Sequence, residues 1–306
     1  MIILNLYPKK SNLGSKGRLI MKFTGVFLPI VTPFLDDKID YVSYKNMIEH
    51  YVNTGISGII PLGTTGEVPT LSDYEFQEMI EKTIEFVDGR LPVIAGVGGN
   101  YTKKVVDKVK IAEKYPLKGI LSVCPYYNKP GQEGIYEHFK TIAGETNLDI
   151  IMYNIPYRTG INMENETIHR LARLKNIAGL KDSCGDMKQT LALLMNPPKD
   201  FSILTGEDML YYTTLTLGGQ GGILASSHLQ TEKFVDIYHK VQKNETLEAL
   251  AIWKEIYPLI PLLFKEPNPT PTKYCLKKLG LLASDEVRLP LTTISESLKE
   301  TLDAIF

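Results

Sequence analysis

The chain has 306 residues, 43% hydrophobic and 23% charged, and its 34 Lys and Arg nearly balance 35 Asp and Glu, for a formal net charge of −1. That composition excludes wholesale disorder and leaves no basic excess to hold a phosphate backbone, so no nucleic-acid partner is expected. No run approaches the ~18 apolar residues of a membrane span, and three scattered cysteines, Cys124, Cys184 and Cys275, argue against a disulfide framework or a cysteine zinc site and for a reducing cytoplasm.

Residues 1–20 open with a short apolar stretch and continue through Lys, Ser, Asn and Gly. Six or so apolar residues are too few for a signal h-region, so a flexible extension is expected, with patterned sequence starting near Met21. From there, brief runs rich in Ile, Val and Leu recur at 26–33, 58–62, 93–97, 119–124, 150–154, 177–181, 202–205 and 222–225. Each is bounded by Gly, Pro, Asn or Thr, the look of parallel strands buried on both faces. Amphipathic stretches lie between them, at 41–53, 72–86, 101–115, 133–146, 165–174, 187–195 and 209–217. Ser72 followed by Glu75 is a capping box. Strand–helix alternation repeated about eight times predicts a (β/α)8 TIM barrel over 21–244 rather than a doubly wound sheet. No GxGxxG turn follows the first strand. Helical patterns at 234–242, 245–264, 271–279 and 293–305, with a Pro-rich break after Glu266, predict a C-terminal helical domain over 245–306.

Barrels of this kind carry their chemistry at the C-terminal ends of the strands. Those positions hold Gly63-Thr-Thr-Gly-Glu67, Tyr126-Tyr127-Asn128, Tyr153-Asn-Ile-Pro-Tyr-Arg158, Lys181-Asp182 and Gly206-Glu207-Asp208. Lys181 ends an apolar strand. Desolvated there, its amine loses its proton near neutral pH and becomes a Schiff-base nucleophile; paired with Asp182, it is a rim lysine. The Thr64-Thr65 loop offers hydroxyls and backbone N–H groups for a carboxylate, or forms an ordinary Gly-rich turn. Tyr127 and Tyr153 are acid/base phenols or packed aromatics. Arg158 is a carboxylate clamp or a surface ion pair. The five histidines show no metal-ligand spacing and there is no carboxylate cluster, so no metal is expected.

Together these segments, with Leu217-Gly-Gly219 and Asn268-Pro-Thr-Pro-Thr-Lys273, make the chain from Phe23 onward resemble the dihydrodipicolinate synthase / N-acetylneuraminate lyase family of class I pyruvate aldolases. Within it, Arg158 in Tyr157-Arg-Thr-Gly160 is similar to the members that condense pyruvate with aspartate-semialdehyde. The resemblance implies an imine between Lys181 and pyruvate, with no external cofactor. It implies Tyr153 as general acid/base, and Thr64 linking it to Tyr127, which a neighbouring subunit supplies. Thr64 and Thr65, with their backbone N–H groups, hold the pyruvate carboxylate, Arg158 binds the aldehyde's carboxylate, and Gly206 and Ile223 shape the pocket. A dimer-of-dimers homotetramer is implied. Other pyruvate-dependent aldolases, acting on a sugar acid, sialate or 4-hydroxy-2-oxoglutarate, are the alternative, and a non-catalytic barrel serving as sensor or scaffold is the reading from another class. Members inhibited by lysine carry polar or His side chains, an Asn and a Glu where this chain has Asp73, Phe76, Asn100 and Lys104. Asn100 and Tyr126 are kept, but Phe76 and Lys104 depart, which predicts insensitivity to lysine.

Overall fold

The computed structural model describes residues 23–305; the extension expected at 1–20 lies outside them. Eight parallel strands form one sheet: β1 (Gly25–Leu28), β2 (Gly58–Ile59), β3 (Ile94–Gly96), β4 (Gly119–Val123), β5 (Asp149–Asn154), β6 (Ile177–Asp182), β7 (Ser202–Thr205) and β8 (Gly221–Ile223). β1 lies between β2 and β8, and the rest follow in chain order back to β3. A bridge between Ile59 and Val93, and the bond from the Gly96 N–H to the Pro61 carbonyl (2.9 Å), join β2 to β3 and close the cylinder.

Strand alternation sorts the apolar side chains into two layers. Phe27, Ile60, Ile94, Leu121, Ile151 and Leu204 belong to the cluster that fills the barrel. Val26, Leu28, Ile59, Ala95, Ile120 and Ile203 belong to the larger cluster, which includes the helices' buried faces. The expected capping box is present: Ser72 accepts from the Glu75 N–H, and the Glu75 carboxylate accepts from the Ser72 N–H.

The strands stop earlier than the apolar runs do. The first ends at Leu28 rather than residue 33, because Pro29 and Pro33 cannot donate to a ladder. The next segment instead makes a hairpin, Phe34–Leu35 against Lys38–Ile39. Its turn residues Asp36 and Asp37 both have positive φ, 52° and 59°, the geometry of a two-residue hairpin turn. The Asp-Asp pair between apolar residues was the available signal for it. The helix expected over 245–264 is broken: it runs Thr246–Ile256, then a tighter turn at Tyr257–Leu259 and a last turn at Ile260–Leu263. Pro258 and Pro261 remove the N–H groups that a continuous helix would use.

The segment after this break returns to the barrel mouth. The Lys273 ammonium, with no solvent exposure, pairs with the Glu67 carboxylate, also buried. It donates to the Glu286 carbonyl (2.8 Å) and sits 4.3 Å from the centre of the Phe34 ring. The second Glu67 oxygen accepts the Arg288 N–H (3.1 Å). Nearby, the Asn268 amide donates to the Thr65 hydroxyl (3.0 Å). The C-terminal segment thus grips the Gly63–Glu67 loop from outside. Removing one member leaves the other charge buried and unpaired, which costs about 3–5 kcal/mol. Lys273→Met should therefore lower the unfolding free energy by about that amount in a urea titration; a change under about 1 kcal/mol would mean that the pair is not what fixes the loop.

Candidate active site

The register between β5 and β6 decides which side chains meet at the mouth. Ile150 pairs with Ile177, but Ile151 pairs with Gly179, so the ladder slips by one residue at Ala178. An extra residue on one strand reverses which side chains face inward from there on. Without the slip, Tyr153 would stand opposite Leu180. With it, Tyr153 stands opposite Lys181, and Leu180 packs outward against the helices.

Lys181 is 7% exposed, and its ammonium nitrogen lies 4.2 Å from the centre of the Tyr153 ring. It makes no ion pair among the described residues. Asp182 is turned away: its carboxylate accepts from the Thr190 hydroxyl (2.6 Å) and the Cys184 N–H (3.1 Å). The rim-pair alternative is thereby removed. Burial lowers the Lys181 pKa to about 8; Asp208 and Glu207 pull it up, and Arg158 pushes it further down. At pH 7 roughly one amine in ten is then neutral, against fewer than one in a thousand for an exposed lysine. Burial holds the Tyr153 phenol far above its ordinary range.

A cavity of about 220 Å³ is lined by Lys181, Tyr153, Thr64, Thr65, Arg158 and Tyr126, among others. Within the Gly63–Glu67 loop, Gly66 and Glu67 donate their N–H groups to Gly63 and Thr64 carbonyls. The N–H groups of Thr64 and Thr65 donate to no partner among the described residues, which leaves them available to an anion. Arg158, on the single helical turn Pro156–Thr159 after β5, is exposed and makes no ion pair among the described residues. Its guanidinium lies 5.7 Å from the Tyr157 ring centre. The surface-pair alternative is not what the structure contains.

The other expected residues lie apart from this cavity. Tyr127 is 87% exposed, has a φ of 72°, and does not line it. Ile223 is buried inside the barrel, paired in register with Phe27. Gly206 lines an adjoining pocket of about 350 Å³. A Cβ on Gly206 would lie 2.5 Å from Cε and 2.6 Å from Cγ of Lys181, and 2.4 Å from the Ser183 hydroxyl. The glycine is the space in which the lysine stem sits.

Three residues at the site carried no role in the sequence reading. Asn268 and Glu67 fix the Thr64–Thr65 loop. Asp208 is buried and takes both the Ser226 N–H (2.6 Å) and the Ser226 hydroxyl on one oxygen; burial raises its pKa to about 6. Asn268 and Glu67 stood in motifs already noted, and Asp208 followed Gly206, but only the folded chain brings them together. Phe76, expected to face an effector, is buried in the main core with the Lys108 ammonium 5.0 Å from its ring centre, while Lys104 is exposed.

A buried, unpaired lysine of lowered pKa beneath a phenol at the mouth of a closed (β/α)8 barrel defines the class: barrel enzymes suited to lysine-imine chemistry. The chain belongs to the dihydrodipicolinate synthetase family, whose pattern matches residues 22–306. It is 58% identical over 283 residues to 4-hydroxy-tetrahydrodipicolinate synthase 2 of Clostridium acetobutylicum, covering 92% of this chain and 99% of that one. It is 40% identical over 287 residues to the 4-hydroxy-tetrahydrodipicolinate synthase of Thermotoga neapolitana, covering 92% and 97%. Among solved structures, the dihydrodipicolinate synthase of Thermotoga maritima superposes with a TM-score of 0.90 at 38% identity, over 93% of this chain and 98% of that one.

Gly206→Ala should crowd Lys181 without removing any reacting group. Overpacking of this kind costs ~1–3 kcal/mol. The expected result is imine formation slowed by at least about tenfold, with the mature fold retained by circular dichroism; an unchanged rate would show that the lysine stem has room to move.

Proposed function

We propose that this protein is a 4-hydroxy-tetrahydrodipicolinate synthase, a lyase of diaminopimelate and lysine biosynthesis that condenses pyruvate with L-aspartate-4-semialdehyde through an imine on Lys181. The observation that carries the reading is Lys181 itself: buried, unpaired, opposite Tyr153 and beside a cavity containing Arg158. The neutral amine adds to the pyruvate ketone carbon, and water leaves as the imine forms. Thr65 and the N–H groups of Thr64 and Thr65 hold the pyruvate carboxylate. The imine withdraws electrons, so the methyl group gives up a proton and the resulting enamine carbon attacks the aldehyde. Tyr153 passes protons to and from these centres, the fate of a phenol whose high pKa keeps it protonated until a partner takes the proton. Arg158 clamps the aldehyde's carboxylate. Gly206 and Ile223 shape the floor, and no external cofactor or metal enters the scheme.

Thr64 passes the proton on to Tyr127. An exposed Tyr127 outside its own cavity supports donation of that ring to a neighbouring copy, and hence a homotetramer built from pairs that complete each other's sites. Three free cysteines, two of them buried, support a reducing cytoplasm. No helix among the described residues is long and apolar enough to cross a membrane.

The direct test is pyruvate and borohydride followed by mass spectrometry. Lys181→Ala should show no adduct and should lose several decades of rate; Lys181→Arg should not rescue, because a guanidinium stays charged. An adduct persisting on Lys181→Ala would overturn the assignment. The wild-type rate of imine formation should rise with pH to a midpoint near 8, since the reacting form is the neutral amine and the folded pKa lies below that of free lysine.

Lysine sensitivity gives a separate check. With Phe76 packed into the core and Lys104 charged like the effector's ammonium, L-lysine should not half-inhibit condensation below about 1 mM, an affinity of only ~4 kcal/mol. Inhibition at lower concentration would locate an effector site that these two departures do not disable.

A further inference from the structure

The pocket of about 350 Å³ beside the imine cavity has an unusual charge arrangement. It shares Arg158 with that cavity, and Glu207, Asp208, Lys265 and Glu266 are also among its lining residues. Two of the three carboxylates are already engaged. Glu266 accepts from the N–H and hydroxyl of Ser295, the residue that caps the helix Glu296–Asp303. Asp208 accepts from Ser226 and is buried. Glu207 is the exception. Only its backbone is bonded: its N–H donates to the Thr205 hydroxyl (3.1 Å) and its carbonyl accepts from the Leu210 N–H (2.9 Å), while its carboxylate has no hydrogen bond or ion pair among the described residues. Arg158 and Lys265 are likewise without ion pairs there. An anion and a cation that line one pocket and do not pair with each other are placed to be bridged by something carrying both charges.

We infer that Glu207 binds the α-ammonium of the aldehyde substrate while Arg158 binds its carboxylate, so that the pocket recognises an α-amino acid head group and not merely a carboxylated aldehyde. The assignment rests on the synthase reading above, and it names the feature by which that site separates an amino-aldehyde from a sugar acid or a plain oxo acid. Glu207 follows Gly206 directly at the end of β7, so its backbone is fixed next to the Lys181 stem. Burial and the adjacent Asp208 push the Glu207 carboxyl upward, the condition of an anion short of a counter-charge. An arriving ammonium supplies that charge. Asp208 is less suited to the role, because one of its oxygens already holds two Ser226 donors.

The test compares two aldehydes with pyruvate held saturating: aspartate-semialdehyde, and its des-amino analogue succinic semialdehyde. In Glu207→Gln, the ratio of kcat/KM for the amino-aldehyde to that for the analogue should fall about 10- to 100-fold, the scale of one charge-assisted hydrogen bond. Arg158→Ala should weaken both aldehydes together and leave the ratio within about threefold of wild type. Trapping of the pyruvate imine in both variants reports that the site is folded. An unchanged ratio in Glu207→Gln, or equal losses on both aldehydes, overturns the inference and leaves the synthase reading standing. A wild-type protein that forms the pyruvate imine yet does not condense aspartate-semialdehyde overturns the synthase reading itself.

Discussion

A carboxylate and an ammonium, Glu67 and Lys273, are both sealed from water at the seam between the barrel and the C-terminal helices. Neither charge is tolerable there alone, and each fixes the other's position. Glu67 ends the loop that carries Thr64 and Thr65, and Lys273 lies on the helix that follows Asn268. The pair therefore sets the height and angle of the loop over the cavity, and the Asn268 amide trims it through Thr65. Arg288 reaches the same carboxylate with its backbone and two further acids, Glu75 and Asp37, with its side chain. The C-terminal helices are not an ornament on a finished barrel; they hold one wall of the site.

The second constraint is electrostatic economy around Lys181. Burial favours the neutral amine, whereas Asp208 and Glu207 favour the charged one. The two opposing influences leave the lysine close to the pH at which both forms coexist, which suits a group that must attack as an amine and leave as one. Arg158 adds a positive charge that helps the neutral form, and it also faces solvent. In the proposed reaction the same few charges would tune the amine and receive the substrate.

Much of this was legible in the chain. The apolar runs recurring between amphipathic stretches specified the barrel, since both faces of each strand are covered, and the residues at the strand ends marked the mouth. Lys181, Tyr153, Thr64, Thr65 and Arg158, found on three different strand ends, do line one cavity. What pattern could not supply was pairing. Asp182 stood next to Lys181 in sequence and was a natural partner for it, yet strand alternation sends it to Thr190 instead. Lys273 and Glu67 are 206 positions apart, and no local signal joins them. Phe76 stood where lysine-inhibited members place an effector-facing side chain, but packing took it inside. Element ends were misjudged where proline, not hydrophobicity, set the stop.

The slipped register between β5 and β6 has a consequence for how such a site can change over time. Which side chain meets Tyr153 is determined by counting residues along β6, not by the kind of residue found there. Replacing a neighbour of Lys181 alters its surroundings by degrees. Removing or adding one residue before it turns the lysine into the helix layer and presents Leu180 or Asp182 to the cavity. The side-chain pattern of this barrel mouth is thus stored partly in a length, and the strand that bears Lys181 has far less freedom to gain or lose residues than to exchange them.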